Sequence, residues 1–173
     1  MDIIGSKVIL RTMEEQDREM VMNLIGDPQI VKVTGGYIDS VSCDHQMNWF
    51  CSLPDSAREV RRVIADKERP ENGLGIIILS DMDLENGAAE IYIKLAGIFR
   101  GKGYGQDAVN ALVAYAFDRL GLSRIYSDIL EYNTMSRRLF EKCGFRQEGF
   151  RRGRGFKKGS YRNVCVYSID NGK

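Results

Sequence analysis

Three glycines fall within five residues in Arg100-Gly101-Lys102-Gly103-Tyr104-Gly105, directly ahead of a stretch with helical apolar spacing. Glycine permits unusual backbone angles and close approach of the main chain to a ligand. A helix that starts there presents unpaired N–H groups at the positive end of its dipole. The chemistry such a segment offers is the capture of phosphate, although a flexible strand-to-helix connection uses the same residues. Two familiar phosphate loops do not match. A P-loop needs four residues between its first glycine and a Gly-Lys followed by Ser or Thr, whereas three separate Gly97 from Gly101-Lys102 and Gly103 follows. A dinucleotide fingerprint needs a glycine three residues after its second, and counting from Gly103 that place is Gln106; the chain also lacks repeated βαβ units.

Other reactive residue types point to less. Cys43, Cys51, Cys143 and Cys165 with the single His45 give no C-x-x-C pair and no Cys/His cluster at metal-ligand spacing. The cysteines read as small, reduced, mostly buried apolar side chains, and His45 as a residue on a helix surface. Residues 146–162 hold seven Lys/Arg and one Glu. Within them, Arg152-Gly153-Arg154-Gly155-Phe156 has part of an RNA-recognition core pattern, but Arg154 stands where an aromatic is required. The run reads as a solvated basic hairpin, one that would attract a nucleotide phosphate, ribosomal RNA or an acidic partner.

The elements that must position these residues follow from periodicity. Residues 7–11 alternate as a strand, and Thr12 with Glu15 makes a capping box for a helix carrying Met20, Val21, Leu24 and Ile25 on one face. After Pro28 an irregular stretch containing Gly35 and Gly36 is expected, then a helix over 44–53 with Met47, Trp49 and Phe50. Strands over 60–66, 74–82 and 88–95, joined by the turns at 70–73 and 83–87, make a meander. Ala108, Val109, Leu112, Val113, Ala116, Phe117 and Leu120 form the stripe of a helix lying on a sheet. A strand over 124–130, a helix over 134–142 stopped by Gly144, and strands over 145–156 and 161–169 turning at Lys158-Gly159 complete the chain. The order β-α-α-β-β-β-α-β-α-β-β implies a mixed α/β sheet with helices packed on its faces.

The segment 100–105 fits the pattern Gln/Arg-x-x-Gly-x-Gly/Ala, followed by the long amphipathic helix. Downstream come Asn133-Thr134-Met135-Ser136, Leu139-Phe140-Glu141-Lys142-Cys143-Gly144-Phe145, Glu148-Gly149 and Tyr161-Arg162-Asn163. Together, in this order and spacing, these resemble the GNAT N-acetyltransferase superfamily, in the branch of ribosomal-protein N-terminal acetyltransferases and spermidine N-acetyltransferases. The resemblance is close over residues 88–169 and looser before them. It implies an α/β (α+β) fold whose mostly antiparallel sheet splays between two central strands, 88–95 and 124–130, with helices on both faces.

The pantetheine arm of acetyl-CoA, as co-substrate, would lie between those strands. Arg100, Gly101, Lys102, Gly103, Tyr104 and Gly105 would receive the diphosphate, while Ile93, Lys94 and Leu95 would pair with pantetheine and polarise the thioester. Asn133 and Ser136 would lie beside the arm; an N-cap is the other role open to Asn133. Splayed strands suit such a cofactor because its amides can satisfy their unpaired N–H and C=O groups. Glu90, ahead of the loop, is the implied catalytic carboxylate, the other role open to it being that of a surface residue on an edge strand. Many members place a tyrosine four residues before the Gly-Phe glycine to protonate the departing thiolate. Here that residue is Phe140, so Ser136, water or an unprotonated leaving group takes its place, with Tyr132 and Tyr37 as further alternatives. Tyr37, Trp49 and Phe50 would wall the acceptor pocket, the core being the other place for Trp49 and Phe50.

Composition agrees with a globular chain: of 173 residues 43% are hydrophobic and 28% charged, far from the balance of disordered sequences. The expectation is a single domain over 1–173. The longest wholly apolar run, seven residues over 111–117, is far short of the roughly 18 that a bilayer-spanning helix needs. Residues 1–7 lack the pattern of a signal peptide, so a cytoplasmic location without a membrane partner is expected. Net charge is +1, yet residues 1–99 hold 10 Lys/Arg against 17 Asp/Glu and residues 100–173 hold 15 against 7. Such asymmetry suits an anionic ligand on one side and a cationic one on the other. The expected function is transfer of an acetyl group from acetyl-CoA to a primary amine, small-molecule or peptide: a protein N-terminus, a polyamine or an amino sugar. The rival is a non-catalytic module that senses a nucleotide through the glycine loop or docks RNA on the basic hairpin. The oligomeric state, a homodimer included, stays open.

Overall fold

The computed structural model describes residues 1–34, 45, 48, 58–157 and 160–173. Its elements are β1 (Ile3–Ile4), β2 (Val8–Arg11), α1 (Arg18–Gly26), α2 (Pro28–Thr34), β3 (Val60–Asp66), β4 (Gly73–Asp83), β5 (Ala88–Leu95), α3 (Tyr104–Asp118), β6 (Arg124–Leu130), α4 (Thr134–Lys142), β7 (Arg146–Lys157) and β8 (Ser160–Asp170). The strands form one sheet in the order β1-β2-β3-β4-β5-β6-β8-β7. Every neighbouring pair is antiparallel except β5 with β6. The mixed, mostly antiparallel sheet and the meander β3-β4-β5 match the sequence expectation. Among the described residues no helix is long and apolar enough to cross a membrane.

Strand alternation divides the core between the two faces of the sheet. Ile77 and Leu79 of β4 pack with Ala89 and Ile91 of β5 and with the α3 stripe of Ala108, Val109, Leu112, Val113 and Ala116. Their neighbours Ile76 and Ile78 point the other way, onto Val21, Leu24 and Ile25 of α1 and Ile30 of α2. Helices therefore cover both faces, with α1 and α2 opposite α3. Phe140 of α4 joins the α3 side, its ring edge-on to Phe145 at 4.9 Å between centroids.

The N-terminal quarter departs from expectation in two places. The capping box is not Thr12 with Glu15: Glu14 and Asp17 form it, around a 3-10 turn (Glu15–Asp17) that leads into α1, with the Glu14 N–H donating to Asp17 Oδ2 at 2.8 Å. Asp17 is drawn there by Arg11, whose guanidinium binds both carboxylate oxygens at 2.6 and 2.7 Å in a buried pair. The stretch after Pro28 is not irregular at its start. Asp27 Oδ1 accepts the Gln29 N–H at 2.9 Å and Pro28 occupies the first helical position, where its missing N–H costs nothing. The expected helix over 44–53, the Lys158-Gly159 turn, Cys43 and Cys51 lie outside the described residues, apart from His45 and Asn48, which are helical and exposed. Cys165 is buried, and burial pushes the thiol of half-buried Cys143 up to about 11.

The N-terminal hairpin, missed in β1, is tied to α3 by one carboxylate. Asp107, in the first turn of α3, accepts the backbone N–H groups of Ser6 (3.0 Å), Lys7 (2.7 Å) and Val8 (3.0 Å). Replacing it with alanine strands three amide donors at the junction of hairpin and helix. Asp107→Ala is expected to lower stability by about 1–3 kcal/mol, and Asp107→Asn by less because its carbonyl still accepts. Urea unfolding of the two variants beside the parent checks this; equal losses would contradict it.

Candidate functional site

β5 and β6 run side by side for three rungs only: Ala88 with Arg124, Ala89 with Ile125 and Glu90 with Tyr126. Beyond these the two strands separate. Each is held on its outer edge, β5 by β4 out to Leu95 and β6 by β8 out to Leu130. A last tie crosses the seam where Ser127 Oγ donates to Ile91 O at 3.0 Å. In an extended strand a residue's N–H and C=O point to the same edge, and alternate residues share that edge. With the Ile91 carbonyl facing β6, those of Ile93 and Leu95 do so too. The Leu95 carbonyl accepts Arg100 Nε at 3.1 Å. The Ile93 N–H and C=O and the Leu95 N–H thus face the opening without a ladder partner.

That opening is the floor of a cleft of about 1200 Å³. One wall is the glycine loop. A short 3-10 turn (Gly97–Phe99) leads into extended Arg100, and Gly101 and Gly103 sit at φ +73° and +86°, left-handed values that favour glycine. Gly103 caps α3, whose first intrahelical bond runs from the Asp107 N–H to Gly103 O at 3.1 Å. The N–H groups of Tyr104, Gly105 and Gln106 accordingly have no partner within the helix. The second wall is the start of α4. The Asn133 side chain caps this helix, its Oδ1 accepting the Ser136 N–H at 3.3 Å, while its Nδ2 donates to Val33 O at 3.3 Å. The third wall is α2, through Gln29, Ile30, Lys32 and Val33.

The cleft brings together Ile93, Lys94, Leu95, Arg100, Gly101, Gly103, Gly105, Asn133 and Ser136 of the expected set. It leaves others aside. Lys102 is exposed, its ammonium 6.0 Å from the Phe99 ring centre. The Tyr104 ring packs edge-on against Phe99 and its hydroxyl donates to Asp66 Oδ2 at 3.3 Å, so only its backbone belongs to the loop. Glu90 sits at the last paired rung, 8% exposed, beside the cleft rather than on its lining. Tyr37, Trp49 and Phe50 lie outside the described residues. Tyr132, weighed as an alternative proton donor, lines the cleft with its hydroxyl donating to Lys32 O at 2.8 Å, while sequence reasoning missed the α2 wall and the basic residues Arg138 and Lys142 of α4. Their i, i+4 spacing was the available signal.

Electrostatics separate the open end of the seam from its paired end. Lys32, Lys94, Arg100, Arg138 and Lys142 line the cleft, and among the described lining residues there is no Asp or Glu. Burial lowers the pKa of Lys94. Glu90, on the α1 face of the sheet with Tyr92, is pushed above the ordinary glutamate range chiefly by burial, with Asp128 and Asp81 adding to the rise and the Tyr92 hydroxyl opposing it. Tyr92 is raised in turn, by burial and then by Glu90. The arrangement can hold a polyanion along the cleft and offer a carboxylate, poised to take up a proton, at its inner end.

Comparisons with known proteins agree with this geometry. The family model for the acetyltransferase (GNAT) domain matches residues 7–146. A spermidine N(1)-acetyltransferase of Vibrio cholerae is 27% identical over 161 residues, covering 93% of this chain and 91% of its own. A putative ribosomal N-acetyltransferase of Bacillus subtilis, YdaF, is 30% identical over 181 residues, covering 96% and 92%. The crystal structure of the Vibrio cholerae spermidine N-acetyltransferase in complex with CoA and spermine superposes with a TM-score of 0.84 at 27% identity, covering 98% of each chain.

The raised pKa of Glu90 has a consequence for stability. Below about 4.5, the value for a free glutamate, folded and unfolded chains both hold its proton. As pH rises, the unfolded chain releases the proton first, and the folded chain must then ionise a buried carboxyl. The contribution of Glu90 is therefore present at low pH and lost as pH climbs through its raised value. Urea unfolding across pH 4 to 8 is expected to show the stability of the parent falling relative to Glu90→Gln as pH increases; a pH-independent difference would contradict the assignment.

Proposed function

The chain belongs to the acetyltransferase (GNAT) family, and from that premise we propose that the cleft between β5 and β6 receives acetyl-CoA and that a small-molecule primary amine attacks it directly, with no covalent enzyme intermediate. The observation that carries this reading is the three-rung seam: unpaired backbone of Ile93 and Leu95 opens into a cation-lined cleft beside the glycine loop. The residues present fit the cofactor. Free N–H groups at the mouth of α3 and the left-handed Gly101 and Gly103 suit a diphosphate, and an open strand edge suits the amides of pantetheine. The non-catalytic module that senses a nucleotide or docks RNA finds no support.

Bound acetyl-CoA supplies a thioester carbonyl open to attack by an amine. The chain's part is to orient and to move protons. The Ile93 N–H is a fixed donor for negative charge that develops at the carbonyl oxygen, and it requires no reorganisation because the sheet holds it. Asn133 keeps a second Nδ2–H for the pantetheine arm while its other bonds hold α2 and α4 in place. An alkylammonium has a pKa near 10, so freeing the amine at pH 7 costs about 4–5 kcal/mol. Glu90 takes that proton, directly or through water, and burial makes it a better base than an exposed glutamate. Phe140 is 2% exposed in the core and has no proton to give. The departing thiolate keeps the electron pair of the broken C–S bond; the Ser136 hydroxyl, on the cleft wall, stabilises it by donating a hydrogen bond, and the thiolate takes its proton from water.

The acceptor enters from the α1 face, where Asp81 and Asp128 lie near Glu90. Asp128 is paired with Arg151 at 3.0 Å, which leaves Glu90 and Asp81 as the carboxylates that favour a cationic acceptor, and the likeness to a spermidine N(1)-acetyltransferase supports a polyamine. Screening polyamines, amino sugars and N-terminal peptides for amine-dependent release of CoA thiol tests the proposal; polyamines are expected to turn over fastest, and no release with any amine would overturn it. Within the same assay Glu90→Gln is expected to lower turnover several-fold with little change in acetyl-CoA affinity. Turnover of the parent is expected to rise with pH through the raised pKa of Glu90; a flat profile, or unchanged turnover in the variant, removes Glu90 from the mechanism.

A further inference from the structure

The glycine loop is held from behind by a residue nearly a hundred positions earlier in the chain. Lys7, at the turn between β1 and β2, sends its Nζ to the carbonyl of Lys102 at 3.0 Å. Its main chain is locked on both sides: the Lys7 N–H donates to Asp107 Oδ2 at 2.7 Å, and the Lys7 carbonyl accepts the Lys67 N–H at 2.9 Å. The side chain passes over Gly103, where an added Cβ would stand 3.3 Å from Nζ and 3.8 Å from Cε. Gly103 therefore provides both the left-handed turn and the space through which Lys7 reaches the loop.

The peptide joining Lys102 to Gly103 is trans, so its C=O and N–H point in opposite directions. The ammonium that takes the carbonyl turns the Gly103 N–H the other way, and Gly103 lines the cleft. A charged donor on the carbonyl also polarises the peptide and strengthens its N–H as a donor. We propose that Lys7 is a positioning residue for the phosphate loop, fixing and polarising the Lys102–Gly103 peptide so that the Gly103 N–H is presented to the diphosphate of acetyl-CoA. This rests on the cofactor reading of the cleft and extends it to a residue outside the loop, which does not line the cleft. It accounts for the Asp107 clamp, whose three N–H bonds place the Lys7 backbone beside the mouth of α3.

The test compares Lys7→Met, which keeps the stem and removes charge and donor, with Lys7→Arg, which restores both. Calorimetry with acetyl-CoA is expected to show affinity about tenfold weaker for Lys7→Met and mostly recovered in Lys7→Arg. At saturating acetyl-CoA the turnover of Lys7→Met should stay within about twofold of the parent, placing the loss in KM. S-acetylpantetheine, which lacks the diphosphate, should react equally well with parent and variant. Equal acetyl-CoA affinity in parent and Lys7→Met overturns the role of Lys7 and leaves the cofactor site intact. An equal loss with S-acetylpantetheine also overturns it, because it marks general damage to the fold. Failure of the parent itself to bind acetyl-CoA removes the cofactor reading and this inference with it.

Discussion

Two fully paired half-sheets share a seam of three rungs, and the site exists because the backbone cannot close further. β1 through β5 form one half; β6, β8 and β7 form the other. β6 is committed to β8 along all seven of its residues, and β5 to β4 out to Leu95, so neither can turn inward. What keeps the halves together is side-chain packing. Ile91 of one half and Ile125, Ile129 and Tyr167 of the other lie in the same core beneath α3. The apolar face stays closed while the hydrogen-bonding edge opens. A strand edge left without ladder partners at the floor of a cleft offers donors and acceptors to a ligand able to satisfy them.

Charge is arranged across that seam in a way the net value of +1 conceals. The cleft collects lysines and arginines from α2, β5, the glycine loop and α4, with no described carboxylate among them. Glu90, with Asp81 and Asp128 near it, lies at the inner end on the α1 face. A polyanionic acyl donor and a cationic acceptor would meet from opposite fields. The glycine loop adds fixed N–H dipoles that need no counter-charge of their own.

Periodicity carried most of the fold. The α3 stripe, the meander and the strand-helix order after Tyr104 are local patterns, and each reappears in the structure. The glycine loop was legible because the need for left-handed angles narrows the residue choice at Gly101 and Gly103. The failures share a different cause. Pro28 reads equally as a turn and as a first helical residue, and only the Asp27 cap decides between them. The Glu14–Asp17 cap displaces Thr12–Glu15 because Arg11 draws Asp17 into a buried pair. The N-cap role of Asn133 was legible, but its bond to α2, a contact across 100 residues, was not. Lys7 and Asp107 meet across a similar span. Long-range polar contacts leave no periodic trace, so the residues that steady the site were the least visible in the sequence.

With the acyl carrier on the open edge of β5 and the free amides of the loop, CoA must shield both. Residue-resolved hydrogen exchange with and without CoA reads both directly. Slower exchange is predicted at the amides of Ile93, Leu95, Gly101, Gly103 and Gly105 when CoA is bound, with the β7–β8 ladder unchanged. Protection confined to other parts of the sheet, with those amides exchanging as before, would contradict that placement.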